Sequence, residues 1–526
     1  MTRYLLSRIL RSVFSIIIVV AVVMILIYSC LDKELIFSKD PNFSKMMGNS
    51  REIYKMQKWE EYGYVEYVNY TADYLKELNA SGEIDNATKT KATKLAQEAT
   101  KGENAVADEY IAKFTEYYTS RGYTVVPLAG QKQGNKYKSG YNPALFAYRN
   151  VPLSSRLWSF FTGLINVDNI HDVEADIEDR GLYIEWRDPA YGGEKFSPAL
   201  MGNGTTHKYL LYFDNNFPYV HQNLVKIQLG KSYNINQGID VFDTMTASQG
   251  NQAKSLVTYP SGNSEVSADD IHSLTYVAGS FNENSTMVIK RNYVDDYTNV
   301  QINRDGMSKM GYSFVIGIIS VIMSYVLGIP LGTVLALKKD KFIDKLGTIY
   351  IVFIIAVPSL AYIFLFKAIG AKIGLPGTFD MQNPTWLMYV LPIVSLALPS
   401  IAGLMKWLRR YMIDQMNSDY VKFARSGGLS EGEIFSKHIL KNAIIPIAHG
   451  IPGALLGSVV GAIITERVYV VPGAGNMLTK AINAYDNGVI VGMTLFYAVL
   501  TVVSIIMGDI LISMLDPRIS FTAKKR

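Results

Sequence analysis

Cysteine is almost absent: the 526 residues include one, Cys30. A lone thiol excludes an internal disulfide and any cysteine-rich metal cluster. At the end of an apolar run, it reads as a small buried hydrophobe. The six histidines (171, 207, 221, 272, 438 and 449) lack ligand spacing such as H-x-x-x-H, so no metal site is assigned. Charge is sparse as well, 18% against 49% hydrophobic residues, where soluble domains carry about 25%. A phosphate-binding loop is also missing. That loop needs G-x-x-x-x-G-K-[ST], whose amides cradle phosphates. Gly230-Lys231-Ser232 supplies its end, but Val225 stands five residues before Gly230 where glycine is required. The chain is therefore expected to bind no ATP and no cofactor itself. No nucleophile–base set or pair of catalytic acids is legible between 32 and 311, so no catalytic residue is assigned. The net charge of +5 is modest, and no nucleic-acid partner is expected.

What is abundant is apolar sequence, concentrated in the first 30 and the last 220 residues. About 20 apolar residues cross a membrane. Ser12–Cys30 meets this without a cleavage site after it, which predicts a retained helix. Further spans are expected at Tyr312–Leu337, Leu346–Ile369, Trp386–Leu404, Ala443–Thr465 and Val489–Leu515. Pro330 and Pro358 are expected to break two of them, and Pro392 and Pro399 fall in a third, breaks that membrane helices tolerate. Lysine and arginine in short loops set orientation. They cluster at Arg3, Arg8 and Arg11, at Lys338–Lys345, at Lys406–Lys441 and at Arg518–Arg526, whereas the loops 371–385 and 466–488 hold one and two. Six spans with both termini in the cytoplasm satisfy this pattern. The expected division is 1–31 (cytoplasmic segment and first span), 32–311 (extracellular domain), 312–516 (five spans with a cytoplasmic loop at 405–442) and 517–526 (cytoplasmic tail). The fold class is an all-α polytopic membrane protein with a large mixed α/β domain between its first two spans.

Within 32–311, Tyr110, Ile111, Phe114, Tyr117 and Tyr118 repeat at helical spacing and Gly122 follows as a stop. Leu182, Ile184 and Trp186 alternate with Tyr183 and Glu185 as in a half-buried strand. Ser273–Ala278 and Thr286–Lys290 also read as strands. The many tyrosines suit a surface for peptide or a peptide-binding protein, with a set of core and half-exposed stripes as the competing reading.

The most informative stretch, Asp419-Tyr420-Val421-Lys422-Phe423-Ala424-Arg425-Ser426-Gly427-Gly428-Leu429-Ser430, lies on the basic side between the fourth and fifth spans. A short helix over 420–425, stopped by two glycines, would offer Tyr420, Val421 and Ala424 for docking. An amphipathic run, Ile434–Leu440, follows. With His438-Ile439-Leu440-Lys441-Asn442-Ala443-Ile444-Ile445-Pro446, the stretch resembles the coupling loop of ABC importer permeases of the oligopeptide, dipeptide and nickel family. Other motifs follow in order: Gly328-Ile329-Pro330-Leu331-Gly332, then Asp344, Pro358-Ser359, the turn Glu466–Gly475, and Asp516-Pro517-Arg518. In the first outer loop, Tyr62–Tyr70 and Tyr219–Asp243 resemble that loop's two ends, and Gly230-Lys231-Ser232 falls in the second. The resemblance covers about 215 continuous residues plus the first span. It departs from the family where Lys422 replaces the glutamate of the general importer motif and Ser426-Gly427-Gly428 replaces Ala-Lys-Gly.

This resemblance implies an oligopeptide permease of the first-permease type with an enlarged outer insertion. It implies docking of Asp419, Tyr420, Val421, Ala424, Arg425, Gly428, Leu429 and Ser430 on an ATPase subunit. The implied partners are a homologous second permease, two ATP-binding subunits carrying ATP and Mg, a lipid-anchored extracellular peptide-binding protein, the peptide and membrane lipid. Ser395, Ser400, Ser458 and Thr465 are pathway candidates, with small-residue helix packing as the competing reading. Glu466 is another, because charge near a span is costly, with interface solvation as its alternative. Two other classes compete with the importer. One is a mechanotransmission ABC protein whose external domain acts on an envelope partner, although such proteins typically have four spans and no such loop. The other is a membrane-anchored receptor or enzyme.

Overall fold

A computed structural model describes residues 2–94, 104–173, 179–187, 196–213, 220–246, 255–258, 264–267, 307–381, 383, 385–460 and 463–515. Among these, five helices are long and apolar enough to cross a membrane. They fall within α1 (Thr2–Cys30), α6 (Lys309–Leu337), α9 (Leu387–Met416), α11 (Glu431–Ser458) and α14 (Asn487–Leu515). A sixth crossing exists only if α7 (Phe342–Ala356) and α8 (Ser359–Lys372) act together, and these are bent by 109°. The bend sits at Val357-Pro358. Proline disfavours a helical residue before it, and Val357 is extended. The other prolines do not break their helices: α6 runs through Pro330, and α9 through Pro392 and Pro399. These two helices pack closely on one another. Gly328 and Gly332 bring α6 against α9, where a Cβ on Gly332 would lie 3.1 Å from the Met405 Cα. Ser320 and Ser324 add hydroxyl bonds to the Ile393 and Ala397 carbonyls. The Gly-Ile-Pro-Leu-Gly motif is thus a helix seam, small residues letting two backbones approach.

Between α1 and α6 lie α2 (Gly48–Glu61), β1 (Val65–Asn69), α3 (Asn104–Ser120), β2 (Thr124–Leu128), β3 (Ala144–Asn150) and α4 (Leu153–Thr162). Then come β4 (Ile165–Val167), β5 (Gly181–Glu185), β6 (Ala199–Asn203), β7 (Tyr209–Phe213), β8 (Val220–Gln222), β9 (Val225–Ile227) and α5 (Val241–Thr246). Among the antiparallel sheets are β1-β3-β2, β8-β7-β6-β5 and β9-β4. Alternation along β3 serves two cores: Leu145 and Ala147 pack with Phe114 and Tyr118 of α3, while Phe146 joins Trp59, Tyr62 and Tyr67. Gly122, at φ +79°, ends the turn after α3. Tyr62, Tyr64, Tyr67, Tyr70, Tyr118, Tyr209, Tyr212 and Tyr233 are buried, so much of the tyrosine content is core.

Besides the break expected at Pro330, three expectations are corrected. Cys30 is exposed at the end of α1, not buried. The strand over Leu182–Glu185 forms, but Leu182 and Ile184 are exposed and Trp186 lies beyond its end, because among the described residues no second layer covers this side of the sheet. Val421 and Ala424 face inward, as described below. The stretches 273–278 and 286–290, and Asp516–Arg518, lie outside the described residues.

Candidate coupling surface and pathway residues

α10 (Asp419–Ser426) follows α9 after a two-residue turn. Gly427 caps it and Gly428, at φ +83°, turns the chain, a left-handed conformation that glycine adopts without strain. Ser430 and Glu433 then form a capping box that starts α11. Val421 is fully buried and Ala424 nearly so, packed with Leu408 and Met412 of α9 and with Ile434 and Ile439 of α11. Burying a valine side chain contributes about 1.5–3 kcal/mol. These two residues therefore hold the helix down and do not face outward. Tyr420 braces the loop too: its hydroxyl donates to Gln415 Oε1 at 2.5 Å and accepts from Asn442 Nδ2 at 3.0 Å.

The apolar group that α10 presents outward is Phe423, 80% exposed. The sequence reading missed it, although the signal was available: 421 and 424 form one helical stripe, and 420 and 423 another. Lys422 and Arg425 flank it. Arg425 bridges to Glu431 through Nε–Oε1 (2.5 Å) and Nη2–Oε2 (3.0 Å). Asp419 pairs with Lys422, and Leu429 is partly exposed beside Gly428 and Ser430. Asp344, buried at the start of α7, receives a bidentate pair from Arg409 of α9, both contacts 2.6 Å. The pair ties the short α6–α7 loop to the end of the helix that carries α10.

The pathway candidates lie apart from this surface. Ser395 is buried with its hydroxyl 2.8 Å from the Tyr469 hydroxyl. Ser458 packs against Gly317 of α6, where a Cβ would lie 2.2 Å from the serine Cβ. Thr465 is buried and Ser400 exposed. Glu466, in α12 (Ile463–Tyr469), is buried: Oε1 accepts from Ser313 Oγ at 2.7 Å and Oε2 from the Asn476 amide at 2.9 Å. Asn476 lies in the first turn of α13 (Ala474–Asn483), where the helix dipole favours an anion. The Ala474 amide donates to the same Ser313 Oγ. The Val-Val-Pro-Gly-Ala-Gly turn wraps this carboxylate so closely that a Cβ on Gly473 would lie 2.5 Å from Oε2. Val470, which opens this turn, takes φ +58°, a strained conformation for a β-branched residue.

A second carboxylate joins the two halves of the molecule. Asp486, fully buried before α14, accepts from Ser232 Oγ and the amides of Tyr233, Asn234 and Ile235 at 2.8–3.0 Å, and from the Val489 amide at 3.2 Å. The Gly-Lys-Ser tripeptide thus belongs to a loop seated on a span.

The binding-protein-dependent transport system inner membrane component family matches residues 328–521. The oligopeptide transport system permease protein AmiC of Streptococcus pneumoniae is 34% identical over 530 residues, covering 100% of this chain and 99% of AmiC. The chain belongs to the oligopeptide ABC permeases. The Bacillus subtilis dipeptide permease protein DppB and oligopeptide permease protein AppB are each 29% identical over 40% and 41% of this chain, and over 68% and 71% of their own length. The alignment with AmiC includes the long segment between α1 and α6. The chain is accordingly a multi-pass membrane permease subunit of an ABC peptide importer with an ABC importer permease fold, not an enzyme, and it works with ABC partner components.

Proposed function

We propose that this permease forms half of the translocation pathway of an ATP-driven oligopeptide importer and receives its driving force through α10. Both termini then lie in the cytoplasm and residues 32–311 outside, with the transporter completed by a homologous permease and two ATP-binding subunits. The observation that carries this reading is the division of labour on α10. Val421 and Ala424 lock the helix to α9 and α11, and Phe423 stands free to enter a cleft on an ATPase subunit. A push on Phe423 passes directly into two spans, and the Asp344–Arg409 pair extends it to α7. A lipid-anchored receptor delivers peptide to the outer mouth, where the external segment meets α14. Ser400 is the exposed member of the pathway set, and Ser395, Thr465 and Glu466 serve as buried packing and hydrogen-bonding groups.

The test is Phe423→Ala in the complete transporter. An aromatic anchor lost from an interface centre costs at least ~1.4 kcal/mol, or about tenfold in affinity for the ATPase subunit. An exposed substitution leaves stability within about 0.5 kcal/mol. Unchanged ATPase affinity and unchanged peptide-stimulated hydrolysis would sink the reading.

A further inference from the structure

The β4–β9 ribbon is amphipathic in a way the transport reading does not use. Its register sets Val167 opposite Val225 and Ile165 opposite Ile227. Directly paired residues and their i+2 neighbours share a face, so all four lie on one side, and all four are exposed, Ile165 at 65%. Asn166 pairs with Lys226 on the other side. Trp158, on the helix just before, is 73% exposed. A two-stranded ribbon is marginal in water, and an apolar patch rimmed by polar groups marks a contact surface.

The location of the ribbon's roots identifies the contact. On α4, Leu157, Phe160 and Phe161, followed by Leu164, pack into the cluster that holds Val20 and Met24 of α1 and Val491 and Leu495 of α14. The continuation of β9 rests on α14 itself: a Cβ on Gly492 would lie 2.7 Å from the Leu229 carbonyl oxygen. Gly492 is five residues into the helix, about 7.5 Å along its axis. The segment therefore sits beside the ends of two spans, below their tips. Next to it α1 exposes Ile18, Val22, Ile25 and Leu26, the surface a span presents to lipid. Apolar side chains and a tryptophan on one face with a cation on the other suit the boundary of a bilayer.

We propose that Trp158 and the apolar face of the β4–β9 ribbon insert into the membrane leaflet at the C-terminal end of α1, anchoring the large inserted segment to lipid beside α14. The contact depends on which end of α1 it adjoins, not on which side of the membrane that end faces, so its failure is separable from failure of the proposed orientation.

Cys30 is the protein's single thiol, so Cys30→Ala gives a clean background for labelling. Ile165→Cys, Ile227→Cys, Lys226→Cys and Val22→Cys are each spin-labelled in the full-length chain, in its transporter complex, in phosphatidylcholine–phosphatidylglycerol liposomes. Power saturation then compares oxygen, which partitions into lipid, with a water-soluble nickel chelate. Oxygen access exceeding nickel access several-fold at 165 and 227, as at 22, with the reverse at 226, is the expected result. Nickel access dominating at 165 and 227 would place the face in water and overturn the proposal. Exclusion of both reagents there would mean that a protein partner covers it, and overturns the proposal equally.

Discussion

Asp486 gathers five hydrogen bonds onto one buried carboxylate, four of them from a loop about 250 residues earlier in the chain. A buried charge is costly unless donors surround it, and three successive amides with a hydroxyl make an anion-binding concavity. Asn234 strengthens the joint by donating to the Ile36 and Ala484 carbonyls. Asp486→Ala orphans these donors, each worth about 1–3 kcal/mol when left unsatisfied. The expected loss is at least ~3 kcal/mol, seen as a melting midpoint lowered by several degrees and as new protease cleavage near Lys231. An unchanged melt and digest contradict this role. Glu466 stands in the same relation to its turn, and Glu466→Ala should loosen residues 471–476 in hydrogen exchange without abolishing ATPase binding. Such carboxylates are hard to read from sequence because their donors lie far away. Asp344 stood out within a motif, whereas its partner Arg409, 65 residues on, did not.

At the scale of elements, glycine seams decide which helices touch. Gly317 leaves room for Ser458, so Gly317→Val should overpack the α6–α11 contact by about 1–3 kcal/mol. Thermal unfolding in detergent reads this directly, and Gly403→Ala, where a Cβ meets nothing within 4 Å, is the control that should not lower the midpoint, since alanine favours a helix interior over glycine. In the inserted segment, Asp168 ends β4 and accepts from the amides of Thr206 and His207 and from the His207 ring. Burial pushes its carboxyl up, but these hydrogen bonds outweigh burial and hold it down at about 2. A carboxyl depressed on folding stabilises the fold above its ordinary value near 4 and loses that contribution as pH falls toward 2. Hydrogen exchange at β6 and β7, corrected for intrinsic rate, should therefore speed up between pH 4 and pH 2, and Asp168→Asn should flatten that dependence. Apolar runs located most helices, and of the two breaks expected at prolines the one at Pro358 forms and the one at Pro330 does not. Pro330 lies in a continuous helix packed closely on α9, whereas Pro358 follows an extended Val357 and bends the chain between α7 and α8. Alternation in β5 revealed a strand, but not that its apolar side faces outward, since that depends on whether a second layer exists.

Across the whole molecule, the chain couples a membrane bundle to an inserted segment at its α14 end and to a short helix at the opposite end of α9. The sequence motifs located that helix, but not which of its residues pack inward. Residue type alone favours Val421 and Ala424 as a docking surface, and only packing against Leu408, Met412, Ile434 and Ile439 turns them inward. The central claim is that Phe423 is the group that meets the ATPase subunit. Its most direct test uses Phe423→Cys and Ala424→Cys, each in a Cys30→Ala background, cross-linked within the assembled transporter. The account predicts a covalent adduct with the ATPase subunit from position 423 and none from 424. Adducts of equal yield from both positions, or from 424 alone, would contradict it.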